Sequence, residues 1–132
     1  MKEKTFVMIK PDGVRRGLIG EIIKRIENKG YEIVKMKMER VTTEQAVYHY
    51  REHRDKPFFK ELIDFITSGP SVMMVVEGDG VIKGISDMVG STNPADALPG
   101  TIRFDYASSV TYNVVHRSDS KESAISEIDF FF

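Results

Sequence analysis

Cysteine is absent from the sequence, and histidine is scarce. The lack of cysteine among the 132 residues excludes disulfide bonds, thiolate zinc sites and cysteine nucleophiles. Apolar runs are short, as in residues 72–76, whereas a membrane-spanning helix needs about 20 consecutive apolar residues. The three histidines, His49, His53 and His116, are therefore the candidates for any chemistry that needs an imidazole.

A charge excess of one sign is also missing. The 19 basic and 20 acidic side chains leave a net charge of −1, without the basic excess that is usual in nucleic-acid-binding modules. The first residues lack the apolar stretch of about 7–15 residues found in a signal peptide. We therefore expect a cytoplasmic protein that requires neither a membrane nor a nucleic acid partner.

The composition is that of a globular chain. Hydrophobic residues make up 41% of the sequence and charged residues 30%, which is enough to build a core without disulfide bonds. No linker, repeat or low-complexity tract divides the chain. The sequence therefore predicts a single domain over residues 1–132.

Hydrophobic periodicity predicts alternating strands and helices. The predicted strands are 5–9, 31–38, 72–76 and 110–115. The predicted helices are 18–29, 42–51, 57–68, 81–89 and 120–130, with a long ordered loop at 91–109. The core of this order is βαββαβ, a ferredoxin-like α+β fold with one four-stranded antiparallel sheet. With helices on one face of the sheet, the other face needs a cover, for which a partner subunit is one candidate.

Phosphate-binding loops of the common kinds are missing. Neither the Walker A spacing nor the G-x-G-x-x-G fingerprint occurs, so any phosphate binding must use other groups. Lys10 ends the first strand before a Pro-Asp-Gly turn, where a lysine can project into a cleft or simply be solvated. The hydroxyl, amide and guanidinium groups of 92–96 and 99–103 suit phosphate oxygens, or else tie down their own loop.

Two of the histidines are spaced as metal ligands are, and the third follows a strand. His49 and His53 lie four residues apart on a predicted helix, but no third ligand is obvious, and we expect both at the surface. His116 follows an apolar strand and precedes small polar residues that could orient its imidazole for nucleophilic or general-base chemistry. A purely structural histidine is the alternative.

Together these segments resemble the nucleoside diphosphate kinase family, from Lys4 to about Phe132. The matching motifs are Met8-Ile9-Lys10-Pro11-Asp12-Gly13-Val14, Arg16-Gly17-Leu18-Ile19-Gly20-Glu21-Ile22-Ile23, Pro57-Phe58-Phe59, Ser68-Gly69-Pro70, Thr92-Asn93-Pro94-Ala95-Asp96, Pro99-Gly100-Thr101-Ile102-Arg103, Asn113-Val114-Val115-His116 and Ser118-Asp119-Ser120. So many motifs in one order do not arise by chance.

The resemblance implies transfer of the γ-phosphate of a nucleoside triphosphate to a nucleoside diphosphate, in two ping-pong halves through a phosphohistidine. It implies that His116 is the nucleophile, that Ser118 and Glu127 orient its imidazole, and that Tyr50 lies beside the transferring phosphate. Lys10 would contact phosphate and ribose, Thr92 and Arg103 would bind phosphate, and Asn113 would bind ribose. The base would stack on Phe58, with Val110 as the opposite wall.

The resemblance also implies Mg²⁺ on the nucleotide phosphates rather than in a protein cage, because this ion dehydrates reluctantly. A homo-oligomer is implied as well, a hexamer or another even assembly. An inactive nucleotide-binding regulator with the same fold and a ferredoxin-like interaction module are the competing interpretations of the sequence.

The sequence departs from the family at several positions. The departures are Ser86 in place of a phosphate-binding arginine, Phe104 in place of glycine, Thr111-Tyr112 in place of Gly-Arg, and Arg117 in place of a small residue. The change at Ser86 favours the regulator. One hypothesis is that Arg117 or Lys83 supplies the missing charge; the alternative is that Arg117 points to solvent.

Overall fold

The computed structural model describes residues 2–132, and its elements alternate as the periodicity predicts. The strands are β1 (Lys2–Ile9), β2 (Glu32–Arg40), β3 (Pro70–Asp79) and β4 (Val115–Arg117). The α-helices are α1 (Pro11–Arg15), α2 (Ile19–Asn28), α3 (Thr43–His49), α4 (Phe59–Ile66), α5 (Val81–Val89), α6 (Ile102–Tyr106) and α7 (Lys121–Phe131), with 3₁₀ turns at Arg51–His53 and Pro94–Asp96.

The strands form one antiparallel sheet in the order β2-β3-β1-β4. This order confirms the ferredoxin-like α+β fold. Several helix ends confirm the local signals: the Thr42 hydroxyl accepts from the Gln45 amide while the Gln45 side chain accepts from the Thr42 amide, and the Ser120 hydroxyl accepts from the Ser123 amide. Gly30, with φ of 93°, follows α2 in a conformation that glycine adopts readily.

Side chains of β1 alternate between two apolar clusters, because successive residues of a strand face opposite sides. Val7 and Ile9 pack with residues of α2 and α5. Phe6 and Met8 pack on the other side with residues of α3, α4 and α7. The chain therefore covers both faces of its central strands with its own helices, and a partner subunit, one candidate for that cover, is not needed there.

The segment before β4 differs most from the prediction. Residues 110–114 are not a strand, and β4 begins at Val115 and includes His116 and Arg117. Val114 has a φ of 74°, which breaks the extended conformation that continuous pairing would need. His116 therefore lies in the middle of a short strand rather than beyond the end of a longer one.

Two further segments contain helices that the sequence pattern did not predict. Pro11-Asp12-Gly13 opens the short helix α1 rather than a simple turn, because proline fits the first position of a helix. The predicted loop 91–109 contains a 3₁₀ turn and α6. Thr101 caps α6 through its hydroxyl, which accepts from the amide of Phe104 at 3.2 Å.

Candidate active site

A cleft of about 740 Å³ opens beside β4. It brings together nine of the ten residues to which the resemblance assigns a role: Lys10, Tyr50, Phe58, Thr92, Arg103, Val110, Asn113, His116 and Glu127. Ser118 lies behind this wall, in contact with Glu127. Ser86 is outside it: among the described residues, it is not one of those that line the cleft.

His116 is held through one of its two ring nitrogens. Its Nε2 lies 3.0 Å from Oε1 of Glu127, and the Ser118 hydroxyl donates to the same oxygen at 2.6 Å. Burial opposes ionisation of Glu127, but the hydrogen bond and charge of His116 and the Ser118 hydroxyl hold the pKa of this carboxyl below its usual value. A carboxylate accepts hydrogen bonds, so Nε2 carries the hydrogen, and the lone pair of a neutral ring is on Nδ1.

His49 packs edge-on against His116, with ring centroids 4.7 Å apart and an interplanar angle of 82°. Burial, then the charge of His116, lowers the pKa of His49 to about 3, so this ring stays neutral at ordinary pH. The expectation that His49 lies at the surface is wrong. The helical spacing paired His49 with His53, whereas the structure places His49 against His116. The sequence contains no signal for this contact between residues 67 positions apart.

Three side chains in the described part of the chain could meet at one metal ion: His49, His116 and Glu127 offer ligand atoms within 4.8 Å of one another. Magnesium prefers six oxygen ligands, and this set has two imidazoles and a carboxylate already bonded to His116 and Ser118. These residues therefore do not fit a magnesium cage.

Lys10 is buried at the point where β1 ends. Its Nζ donates to Oδ1 of Asn113 at 2.8 Å, and Nδ2 of Asn113 donates to the carbonyl of Thr92 at 3.2 Å. Burial, and then the charge of Arg103, lowers the pKa of Lys10 to about 7, while Asp12 opposes the shift. The three predicted ligands Lys10, Asn113 and Thr92 thus form one hydrogen-bonded chain across the cleft floor.

Asp12 is a structural support that the sequence analysis did not single out. Its buried Oδ2 accepts a hydrogen bond from the amide of Val114 at 3.1 Å, and the amide of Lys10 donates to the Val114 carbonyl at 2.8 Å. Gly13 lies against the same segment, where a β-carbon would stand 3.1 Å from the Val114 carbonyl. The residue before β4 is therefore fixed by the segment that follows β1.

Arg103 is buried in the wall of the cleft. Its Nη1 donates to the carbonyl of Gly90 at 3.0 Å and its Nη2 to the carbonyl of Val115 at 2.7 Å. Burial and the charge of Arg117 lower the pKa of Arg103 to about 10. Carbonyl oxygens thus hold the guanidinium, and no carboxylate within residues 2–132 neutralises it.

The mouth of the cleft is partly apolar. Phe58 and Val110 both line it and are 41% and 50% exposed. Exposed apolar side chains at a cleft mouth suit a planar ligand. Tyr50, deeper in the cleft, is uncharged at ordinary pH because burial raises the pKa of its phenol.

The two residues considered as replacements for the missing arginine differ in position. Lys83 is 83% exposed, pairs with Asp87 at 2.7 Å, and is not among the described residues that line the cleft. Arg117 lines the cleft, and its charge contributes to the lowered pKa of Arg103. The hypothesis for Lys83 is wrong, and the alternative that Arg117 points to solvent has no support.

The comparisons with known proteins agree with one another. The family model "Nucleoside diphosphate kinase" matches residues 3–132. Curated proteins named nucleoside diphosphate kinase from Archaeoglobus fulgidus and Moorella thermoacetica are 60% and 58% identical over 130 residues, covering 98% of this chain and 86% and 94% of theirs.

Two solved structures are similar in fold. A halophilic nucleoside diphosphate kinase from Halobacterium salinarum, in complex with CDP, superposes with a TM-score of 0.96 at 48% identity, covering 100% of this chain and 88% of that one. The enzyme from Aquifex aeolicus gives a TM-score of 0.95 at 39% identity, covering 100% and 96%.

Proposed function

Because the chain belongs to the nucleoside diphosphate kinase family and is a phosphotransferase that acts on nucleotides, we propose that it carries the phosphoryl group on His116 between two half-reactions. In the first half, a nucleoside triphosphate loses its γ-phosphoryl group to the imidazole. In the second, a nucleoside diphosphate takes that group from the imidazole.

The observation that carries this proposal is the hydrogen bond between Nε2 of His116 and Glu127. It directs the lone pair of Nδ1 to the γ-phosphorus, so an Nδ1–P bond forms as the bond to the β–γ bridging oxygen breaks. The electron pair of the broken bond leaves with the nucleoside diphosphate. A terminal oxygen of the acceptor diphosphate then attacks phosphorus and breaks the Nδ1–P bond. The ionised Glu127 stabilises the positive ring of the intermediate.

Cations and neutral donors suit the phosphate chain. Phosphoryl transfer spreads negative charge over the equatorial oxygens, so positively charged groups fixed in position lower the barrier. We assign phosphate contacts to Lys10, Arg103 and Thr92, a place beside the transferring group to Tyr50, and the ribose to Asn113. Phe58 and Val110 enclose the base, and stacking on an aromatic face accepts any base. Ser86 has no contact in this assignment, because it does not line the cleft.

We assign Mg²⁺ to the nucleotide phosphates, since the His49, His116 and Glu127 set does not fit it. Bound there, the ion neutralises phosphate charge. The protein's part is to present Lys10 and Arg103 to the remaining oxygens.

The assembly and location are proposals from the family resemblance: a homo-oligomer, a hexamer or another even assembly, acting in the cytoplasm as a single domain over residues 1–132. Exposed Met36 and Met38 on the edge strand β2, 56% and 54% accessible, are compatible with contact between copies. Light scattering in solution tests the assembly. None of the helices within residues 2–132 has the length and apolar character needed to cross a bilayer.

Incubation with γ-labelled ATP tests the mechanism. We expect a labelled protein whose phosphate is lost in acid and kept in base, and whose label passes to added GDP to give labelled GTP. Nucleotide binding without labelling would instead indicate the inactive regulator, and neither binding nor labelling would indicate an interaction module.

A further inference from the structure

Arg117 lines the cleft and has no role in the mechanism above. Arg51 lines it too, but its guanidinium donates to the Tyr48 carbonyl and lies over the Tyr48 ring. Arg117 is half-buried and lines the same cavity as His116. Its Nε is buried and has no hydrogen-bond partner in residues 2–132, and no ion pair joins its guanidinium to a carboxylate of those residues. Asp119 and Glu122 line the cavity too, but within residues 2–132 neither forms an ion pair with Arg117. A buried donor left without an acceptor is costly.

The strand register places Arg117 on the opposite face of β4 from His116. Arg117 pairs with Val7, whose side chain belongs to the apolar cluster formed with α2 and α5, whereas His116 pairs with Met8 of the other cluster. Arg103 is bonded to the carbonyl of Val115, two residues before Arg117. Both arginines therefore meet the edge strand β4, and the charge of Arg117 contributes to the lowered pKa of Arg103.

The guanidinium groups of Arg103 and Arg117 and the ammonium of Lys10 line one cleft and repel one another, and an anion relieves that repulsion. The effect is already visible in the free protein, since the charge of Arg117 contributes to the lowered pKa of Arg103. Neither Arg103 nor Arg117 has its Nε satisfied within the described chain. The positive charge collected in the cleft points to a ligand with several anionic oxygens.

We propose that Arg117 is a phosphate-binding residue of this enzyme, which joins Lys10 and Arg103 in holding the phosphate chain of the nucleotide. The proposal rests on the function proposed above, and it assigns Arg117 to the phosphates rather than to the ribose or base. The contribution of Arg117 to the free energy of ligand binding therefore grows with the number of phosphates on the ligand.

Two substitutions separate charge from packing. Arg117→Met keeps most of the aliphatic stem and removes the charge, and Arg117→Lys keeps the charge. Lys83→Ala is the matched control, since it removes one positive charge at an exposed position outside the cleft. Calorimetry measures the dissociation constants of ADP, AMP and adenosine for each variant, and thermal unfolding checks that each folds.

We expect Arg117→Met to weaken ADP binding by about tenfold or more, as loss of a charge-assisted hydrogen bond predicts. Adenosine binding stays within about twofold, AMP lies between them, and Arg117→Lys recovers part of the loss. Equal losses for ADP and adenosine, or an ADP affinity unchanged from the wild type, would overturn the role of Arg117. Failure of the wild type itself to bind ADP or to become labelled would instead overturn the proposed function.

Discussion

The carboxylate of Asp12 accepts a hydrogen bond from the backbone amide of Val114, 102 positions later in the chain. Val114 has a φ of 74°, a conformation that is strained for a β-branched residue. Such strain costs about 1–3 kcal/mol and persists only where the surroundings impose it. Here the imposed bend places Asn113 against Lys10 and starts β4 one residue before His116.

Removal of the Asp12 carboxylate is expected to release that bend. In Asp12→Ala the buried amide of Val114 loses its acceptor, so the free energy of unfolding should fall by about 1–3 kcal/mol. Nucleotide affinity should fall as well, because Asn113 no longer has a fixed position. Denaturant unfolding and ADP titration measure the two effects. Asp64→Ala, which breaks an exposed pair with Lys60, is the control and should change stability by less than about 1 kcal/mol. An Asp12 variant as stable as this control would contradict the role given to the Val114 contact.

The substitution His116→Ala should abolish both phosphoenzyme formation and transfer, while ADP still binds. The reason is that, among the described residues, His116 is the histidine whose ring is bonded to an ionised carboxylate in the cleft. The measurement is γ-labelled ATP incubation followed by peptide mapping, with His53→Ala as a variant that keeps the label. Label on His49 or His53 in the His116 variant would mean that the nucleophile is wrongly assigned.

Glu127→Gln keeps the shape of the side chain and removes its charge. The rate of phosphoenzyme formation should fall by about tenfold to hundredfold, because a charge-assisted hydrogen bond contributes about 1.5–3 kcal/mol. ADP affinity should change little, since Glu127 holds the ring and does not contact nucleotide in our assignment. Single-turnover kinetics separates the rate of phosphoenzyme formation from the affinity for nucleotide. Glu122→Gln removes a carboxylate from the same cleft and serves as the control; an equal loss of rate there would argue for a general charge effect.

Lys10 gives the binding step a dependence on pH. With a pKa of about 7 in the free protein, Lys10 is mostly neutral at pH 8, and a bound phosphate favours its charged form. The complex thus binds more protons than the free protein, so ADP affinity should fall as pH rises from 7 to 9. Calorimetry at pH 8 in buffers of different ionisation enthalpy should show proton uptake on ADP binding, which Lys10→Met removes. Equal proton uptake by wild type and Lys10→Met would exclude Lys10 as its source.

The lowered pKa of Lys10 also makes the free energy of unfolding depend on pH. Between the folded value of about 7 and the ordinary value of 10.5, the unfolded chain binds more protons at this lysine than the folded protein does. Its contribution to the free energy of unfolding therefore rises with pH across that window, while nucleotide affinity falls. Lys10→Met should flatten this part of the stability profile measured by denaturant unfolding.

The predictable parts of the molecule are those whose information is local. The helix around Ile22 and Ile26, the cap at Thr42 and the strand alternation of β1 follow from neighbouring residues. The start of β4 does not, because the φ of Val114 depends on Asp12 and Lys10 far away in sequence. The family resemblance predicted His116, Lys10 and Glu127 as site residues. The contact of His49 with His116 could not be predicted, because it depends on how α3 packs against the sheet.

The antiparallel pairing of β1 with β4 has a consequence for the synthesis of the protein. Among the described elements β1 leaves the ribosome before its edge partner β4, which carries the proposed nucleophile. A nascent chain that still lacks residues 115–127 has neither the imidazole of His116 nor the carboxylate of Glu127 that orients it. By the proposed mechanism, such a chain cannot accept a phosphoryl group from the cellular nucleotide pool. Closing so long a loop makes the pairing of β1 with β4 a slow, late event in folding.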